Sequence, residues 1–129
     1  MKSWITQLRK GLAEFCVLNV LAHGESYGYS IVQRLRRIEE LALTESTVYP
    51  VLTRLRKDGF LKVRVIPSPA GPPRRCFSLT HLGRRRVAEM NGYWIELNRS
   101  IRTLLAGGLA TEESDGIRRR STPTYRAVP

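Results

Sequence analysis

The sequence predicts a mostly helical chain with a small two-stranded β-ribbon and a long C-terminal helix. Three observations predict it. Three short segments with apolar residues three and four apart come first. Two alternating, β-branched runs around a proline-rich stretch follow. A longer segment with helical spacing then runs to Gly107-Gly108. At 129 residues the chain holds one core and a short extra element.

The first helix is expected over 4–22, with Ile5, Leu8, Leu12 and Phe15 as its apolar stripe. From Phe15 to Leu21 it is apolar nearly all round, as in a helix entering a core. Ser26 is a natural N-cap for a second helix over 27–38, with Ile31, Leu35 and Ile38 inward. Gly28 in its first turn lowers helix propensity by about 1 kcal/mol. Another backbone or a phosphate close by would explain it, and so would a plain loop–helix junction. Thr44 can cap a third helix over 45–58, with Glu45 at its positive end. Pro50 in its second turn removes one hydrogen bond, so a kink or a later start is expected.

Strands follow over 60–66 and 74–79, joined by the stiff run Pro67-Ser68-Pro69-Ala70-Gly71-Pro72-Pro73. Thr80 caps the last helix, 81–106. Residues 108–129 are polar, with two prolines and Arg118-Arg119-Arg120, and predict a disordered tail. Three helices and a ribbon make a winged helix-turn-helix domain over 1–79, followed by a helix over 80–107.

Charge narrows the function. Lys plus Arg number 22 against 11 Asp plus Glu, a net +11. Such an excess marks a polyanionic partner. Cys16 and Cys76 sit among apolar neighbours and read as buried hydrophobes of a reducing cytoplasm. With no CxxC pair and only His23 and His81, no metal site is expected. No stretch approaches the ~20 apolar residues of a membrane span. No cofactor is expected, and no phosphate loop or catalytic motif of an enzyme is present.

If Val48, Leu52 and Leu55 face inward on the third helix, Ser46, Pro50, Thr53 and Lys57 point away, flanked by Tyr49 and Arg54. Hydroxyls, a phenol and cations without an acid suit base edges and phosphates in a major groove. A merely solvated face is the alternative. The ribbon weighs against that alternative, because Arg64 leads into its stiff tip and Arg74 and Arg75 lead out. Arginines so placed suit a wing on a phosphate backbone or in a minor groove. Tyr27 and Thr47 complete the candidate double-stranded DNA contacts.

On the last helix Val87, Met90, Trp94, Leu97, Ile101 and Leu104 alternate three and four apart, the narrow seam of a coiled coil. The alternative is a helix packing on its own domain. A homodimer seam is the preferred expectation, with Trp4 of the first helix beside it.

Four stretches then carry a resemblance: Gly11-Leu12-Ala13-Glu14; Ser26-Tyr27-Gly28-Tyr29; Ser46 to Leu52 with Arg54-Leu55 and Asp58-Gly59; and Pro73 to Thr80 with Gly83. Over roughly residues 8–106 the chain resembles the PadR family of bacterial winged-helix regulators. The resemblance implies a C-terminal dimerisation helix, and a repressor rather than an activator is the expected role. It also implies a small aromatic or hydrophobic effector held between subunits, where Trp94 matches an aromatic of some members. Two departures are Cys76, where an aromatic is common, and Arg56, where Glu is frequent. An RNA-binding or ribosome-associated role is the rival. Readers of single strands display aromatics on an open sheet, however, and this ribbon offers only Phe77.

Overall fold

The computed structural model describes residues 2–108. Its elements are α1 (Lys2–Ala22), β1 (Ser26–Tyr27), α2 (Gly28–Arg36), α3 (Glu45–Lys57), β2 (Leu61–Ile66), β3 (Arg74–Leu79) and α4 (His81–Leu105). They fall into two compact units, one ending at Val87 and one beginning at Ala88. The expected tail lies outside the described residues from 109 onward.

The first unit is the winged-helix body. Val17, Leu18, Ile31, Leu35, Val48, Leu52 and Leu55 are its largest fully buried side chains. They come from α1, α2 and α3, whose apolar stripes meet there. The all-round apolar part of α1 follows from its position, since it packs against α2, α3 and β3 together. Asn19, in the middle of that stretch, keeps its amide satisfied by donating to the Phe15 carbonyl at 2.8 Å.

The sheet has three strands rather than two, in the order β1-β3-β2, all antiparallel. The expected ribbon is β2 and β3, in register from Leu61 opposite Leu79 to Ile66 opposite Arg74. The extra strand corrects the assignment of Ser26 as a helix cap. Ser26 pairs with Phe77 and Tyr27 with Cys76, so the chain is still extended there. Tyr27 takes the N-cap position, and α2 begins at Gly28 without a side-chain cap. Two residues are too short to show an alternating pattern in sequence. β3 thus lies between two neighbours, and Cys76 and Phe77 are both buried although they alternate in direction. Burial raises the Cys76 thiol pKa, and so does Glu25 beside it.

α2 ends at Arg36, so Ile38 is not part of its inner stripe. It is exposed, and Leu43 from the following loop is the buried residue. Pro50 neither breaks α3 nor delays it: the helix runs unbroken from Glu45. The proline removes only the bond to the carbonyl four residues back, that of Ser46, an exposed residue.

The end of α3 and the start of α4 are tied together. Gly59, at φ +87°, allows the Phe60 amide to bond the Leu55 carbonyl and the Gly59 amide to bond that of Arg56. This is a Schellman ending, which needs a left-handed residue at that point. Thr80 donates its hydroxyl to the Gly59 carbonyl at 2.7 Å, and its amide bonds the Phe60 carbonyl at 3.1 Å. The same hydroxyl caps α4 by accepting the Gly83 amide at 3.0 Å.

In the second unit α4 continues to Leu105, with an Arg99–Glu96 pair at 3.2 Å on its surface. Gly107, at φ +84°, ends it by the same geometry as Gly59, with the Gly108 amide on the Thr103 carbonyl. Among the described residues, no helix is long and apolar enough to cross a membrane.

Candidate nucleic-acid interface

Burying Val48, Leu52 and Leu55 leaves one face of α3 in solvent. Ser46, Tyr49, Pro50, Thr53, Arg54, Arg56 and Lys57 are all exposed, and Thr47 is partly so. The Ser46 hydroxyl meets that of Thr44 at 2.9 Å, and Thr53 donates back to the Tyr49 carbonyl at 3.1 Å. Each hydroxyl keeps further hydrogen-bonding capacity for an incoming group. The wing stands beside this face. Thr53, Arg56 and Lys57 of α3 share a small hollow with Val63, Arg75 and Phe77 of the ribbon.

The predicted residues are brought together unevenly. Tyr49 leans across to α2: a Cβ placed on Gly28 would lie 2.9 Å from its ring and 3.3 Å from its hydroxyl. Thus the close protein neighbours of Gly28 are the Tyr49 and Phe77 side chains rather than another backbone. Tyr27 and Tyr29 stack, and Arg74 lies over both rings. Arg74 and Arg75 are exposed at the root of the wing.

Arg64 and Arg54 are engaged elsewhere. Arg64 pairs with Glu25 at 2.9 Å, and its hydrogen bond holds the Glu25 carboxyl below the usual range. Arg54 turns to α1, where its guanidinium lies 3.0 Å from one oxygen of Glu14. The other oxygen accepts from Arg86 of α4 at 2.6 Å. Arg86 in turn lies over the Phe60 ring, 4.5 Å from its centre. Glu14 therefore joins α1, the α3 face and the base of α4. Burial alone would raise its pKa, but the hydrogen bonds and charges of Arg86 and Arg54 outweigh it and hold it low.

The Glu14 network and Tyr29 escaped the sequence reasoning. An acid interrupting an apolar helical run is the signal that would have found Glu14, because such a residue needs a partner. Its partners lie 40 and 72 residues away and could not be named in advance.

Glu14→Gln should destabilise the protein by about 1–2 kcal/mol at neutral pH, since it removes the charge shared by two donors. Glu14 has a lower pKa folded than unfolded. Its contribution is therefore complete above the unfolded value and lost as pH falls through the folded one. Urea unfolding of both proteins from pH 7 down to pH 3 should show their stabilities converge at the acid end. A gap that stayed constant with pH would contradict this role.

The seam residues of α4 divide between the units. Val87 is buried in the first unit's core. In the second, Met90 and Leu97 are half-buried, while Trp94, Ile101 and Leu104 are 39%, 43% and 57% exposed. Trp4 on α1 is also exposed.

Comparison with known proteins agrees with this architecture. The model of the transcriptional regulator PadR-like family matches residues 17–89, more than half of the chain. A PadR-like transcription factor from Bacteroides fragilis is 36% identical, covering 76% of this chain and 94% of its own, with a TM-score of 0.67. A Streptococcus transcriptional regulator is 37% identical, covering 76% and 96%, also with a TM-score of 0.67. A PadR family transcriptional regulator from Eggerthella lenta is 28% identical, covering 81% and 90%, with a TM-score of 0.70. These are transcriptional regulators rather than enzymes. On the matched body, the three-stranded wing sheet and these shared structures, the chain belongs to the PadR-like family of transcriptional regulators.

Proposed function

We propose that the protein is a cytoplasmic, sequence-specific repressor that binds operator DNA as a homodimer. One observation carries this reading: the exposed face of α3 and the wing root form one continuous surface of hydroxyls, phenols and cations. α3 lies in the major groove, where Ser46, Thr47, Tyr49 and Thr53 reach base edges and Lys57 and Arg56 reach phosphates. The wing, through Arg74 and Arg75, lies on the backbone or in the adjoining minor groove. Arg54 supports α3 from behind through Glu14 and is not a base reader. Arg64 contacts DNA only by leaving Glu25. The homodimer forms through α4, from Met90 to Leu104, and a small aromatic or hydrophobic effector beside Trp94 releases the DNA. Repression requires only that the operator be occupied, which this surface alone can achieve.

Duplex DNA and single-stranded RNA of one sequence, compared in a single binding assay, test the reading. Duplex should bind more tightly. With six to ten phosphates touched per dimer, affinity should fall about 10³–10⁵-fold between roughly 50 and 200 mM salt. Arg74→Ala and Arg75→Ala should weaken all duplexes alike, because phosphate contacts carry no base information. A preference for RNA, or association indifferent to salt, would refute the proposal. If the wing variants instead change which sequences are selected, the wing reads bases and the division of labour is wrong.

A further inference from the structure

Between the start of α2 and the root of the wing lies a cleft of about 490 Å³. Tyr27, Tyr29 and Tyr49 line it together with Pro73, Arg74 and Arg75 of the wing. The Tyr27 and Tyr29 rings stack with centroids 5.9 Å apart and planes inclined by 6°. The Arg74 guanidinium lies 5.5 Å from one centroid and 5.9 Å from the other. No acid lines the cleft, and among the described residues no carboxylate pairs with Arg74 or Arg75.

Duplex DNA accounts for only part of this. Its phosphates stand on convex ridges and can reach the guanidinium groups at the rim. The stacked Tyr27 and Tyr29 rings behind Arg74 add nothing to a contact with a sugar–phosphate ridge. A concavity of this size, with aromatic walls and a few convergent polar groups, is the usual form of a small-molecule site. The lining sets three requirements on an occupant. It must be flat, because a guanidinium backed by two rings offers a planar cationic platform for stacking. It must be anionic, because Arg75 adds a second unpaired cation. It must carry hydrogen-bonding edges for the phenol hydroxyls.

A nucleoside monophosphate meets all three requirements. We propose that the cleft is a ligand site for a nucleoside monophosphate, its base on Arg74 and its phosphate on Arg75, and that occupation excludes DNA from the wing root. The exclusion rests on the DNA-binding function proposed above; the binding itself does not. All its lining residues belong to one protomer's first unit, whereas Trp94 belongs to the second.

Calorimetric titration of the full chain with adenosine monophosphate, without DNA, tests the site. Saturation at one equivalent per protomer is expected, with adenosine and inorganic phosphate each about tenfold weaker or more. Arg75→Gln and Tyr29→Leu, both at exposed positions, should each weaken the nucleotide about tenfold. Thermal melts of the variants matching the wild type would show that the fold is kept. Absence of saturation, inorganic phosphate binding as tightly as the nucleotide, or both folded variants binding like the wild type would overturn the site. In a duplex-binding assay the nucleotide should weaken DNA more than sulfate does at equal ionic strength, and equal effects would overturn the exclusion. If the nucleotide saturates but no duplex binds at all, the DNA-binding proposal and the exclusion fail together and the site stands.

Discussion

Leu97→Glu combined with Ile101→Glu is expected to give a monomer that binds a two-half-site duplex about 10²–10⁴-fold more weakly than the wild type. The two residues lie one helical turn apart on the second unit's stretch of α4. Trp94, Ile101 and Leu104 leave that stretch an apolar strip with much of its area in solvent. Soluble monomers seldom leave such strips bare. Two carboxylates at the centre of a paired seam would be forced out of water against apolar partners, which association cannot sustain. The effect on DNA follows from geometry. Two recognition helices about 34 Å apart read successive major grooves, and linking them makes the second contact intramolecular. Gly92 loosens the helix within the seam, so the surface tolerates some adjustment. Sedimentation decides the matter: a wild-type monomer at tens of micromolar without DNA would end the dimer proposal. If the variant is monomeric yet binds the duplex unchanged, the dimer has no part in recognition.

Gly83→Ala should produce the largest loss of stability of any Gly→Ala substitution among the described residues. An added Cβ would collide with the Phe60 carbonyl oxygen and lie 3.1 Å from its carbon. The obstacle is backbone, so no side-chain rotation relieves it. The first turn of α4 would have to move away from Phe60, loosening the Thr80 bonds to Gly59 and Phe60. A cost of about 3 kcal/mol is expected, which corresponds to a fall in Tm of roughly 10 °C. Gly28→Ala is the control. Its Cβ would meet the edge of the Tyr49 ring at 2.9 Å, and that ring borders an open cleft and can shift. A thermal melt in which Gly83→Ala cost no more than Gly28→Ala would contradict this account.

Much of this architecture was legible because it is written in local patterns. The apolar spacing of Val48, Leu52 and Leu55 fixed the inner face of α3. Alternation placed β2 and β3, and Thr80 and Gly107 marked the ends of α4 within a residue or so. What escaped depends on partners distant in the chain. Ser26-Tyr27 looks like a helix entry until Phe77 and Cys76 arrive to pair with it. Arg54 follows the helical wheel toward the outer face, but a long side chain can turn back, and Glu14 draws it to α1. Val87 continues the seam by spacing, yet the core of the first unit claims it.

The acids of the fold also decide how many of its cations count in solution. Arg54, Arg64 and Arg86 each already hold a carboxylate, whereas Arg74 and Arg75 hold none among the described residues. Salt sensitivity of DNA binding measures the counterions that cations displace from phosphates. A guanidinium neutralised within the protein displaces none until its carboxylate is let go. The stoichiometry of released ions should therefore fall well below what the 22 lysines and arginines per chain would imply. Glu25 and Glu14 act as built-in competitors of the polyanion. On the proposed DNA-binding reading, they hold general attraction to any duplex in check and leave discrimination between sequences to the uncharged groups on α3.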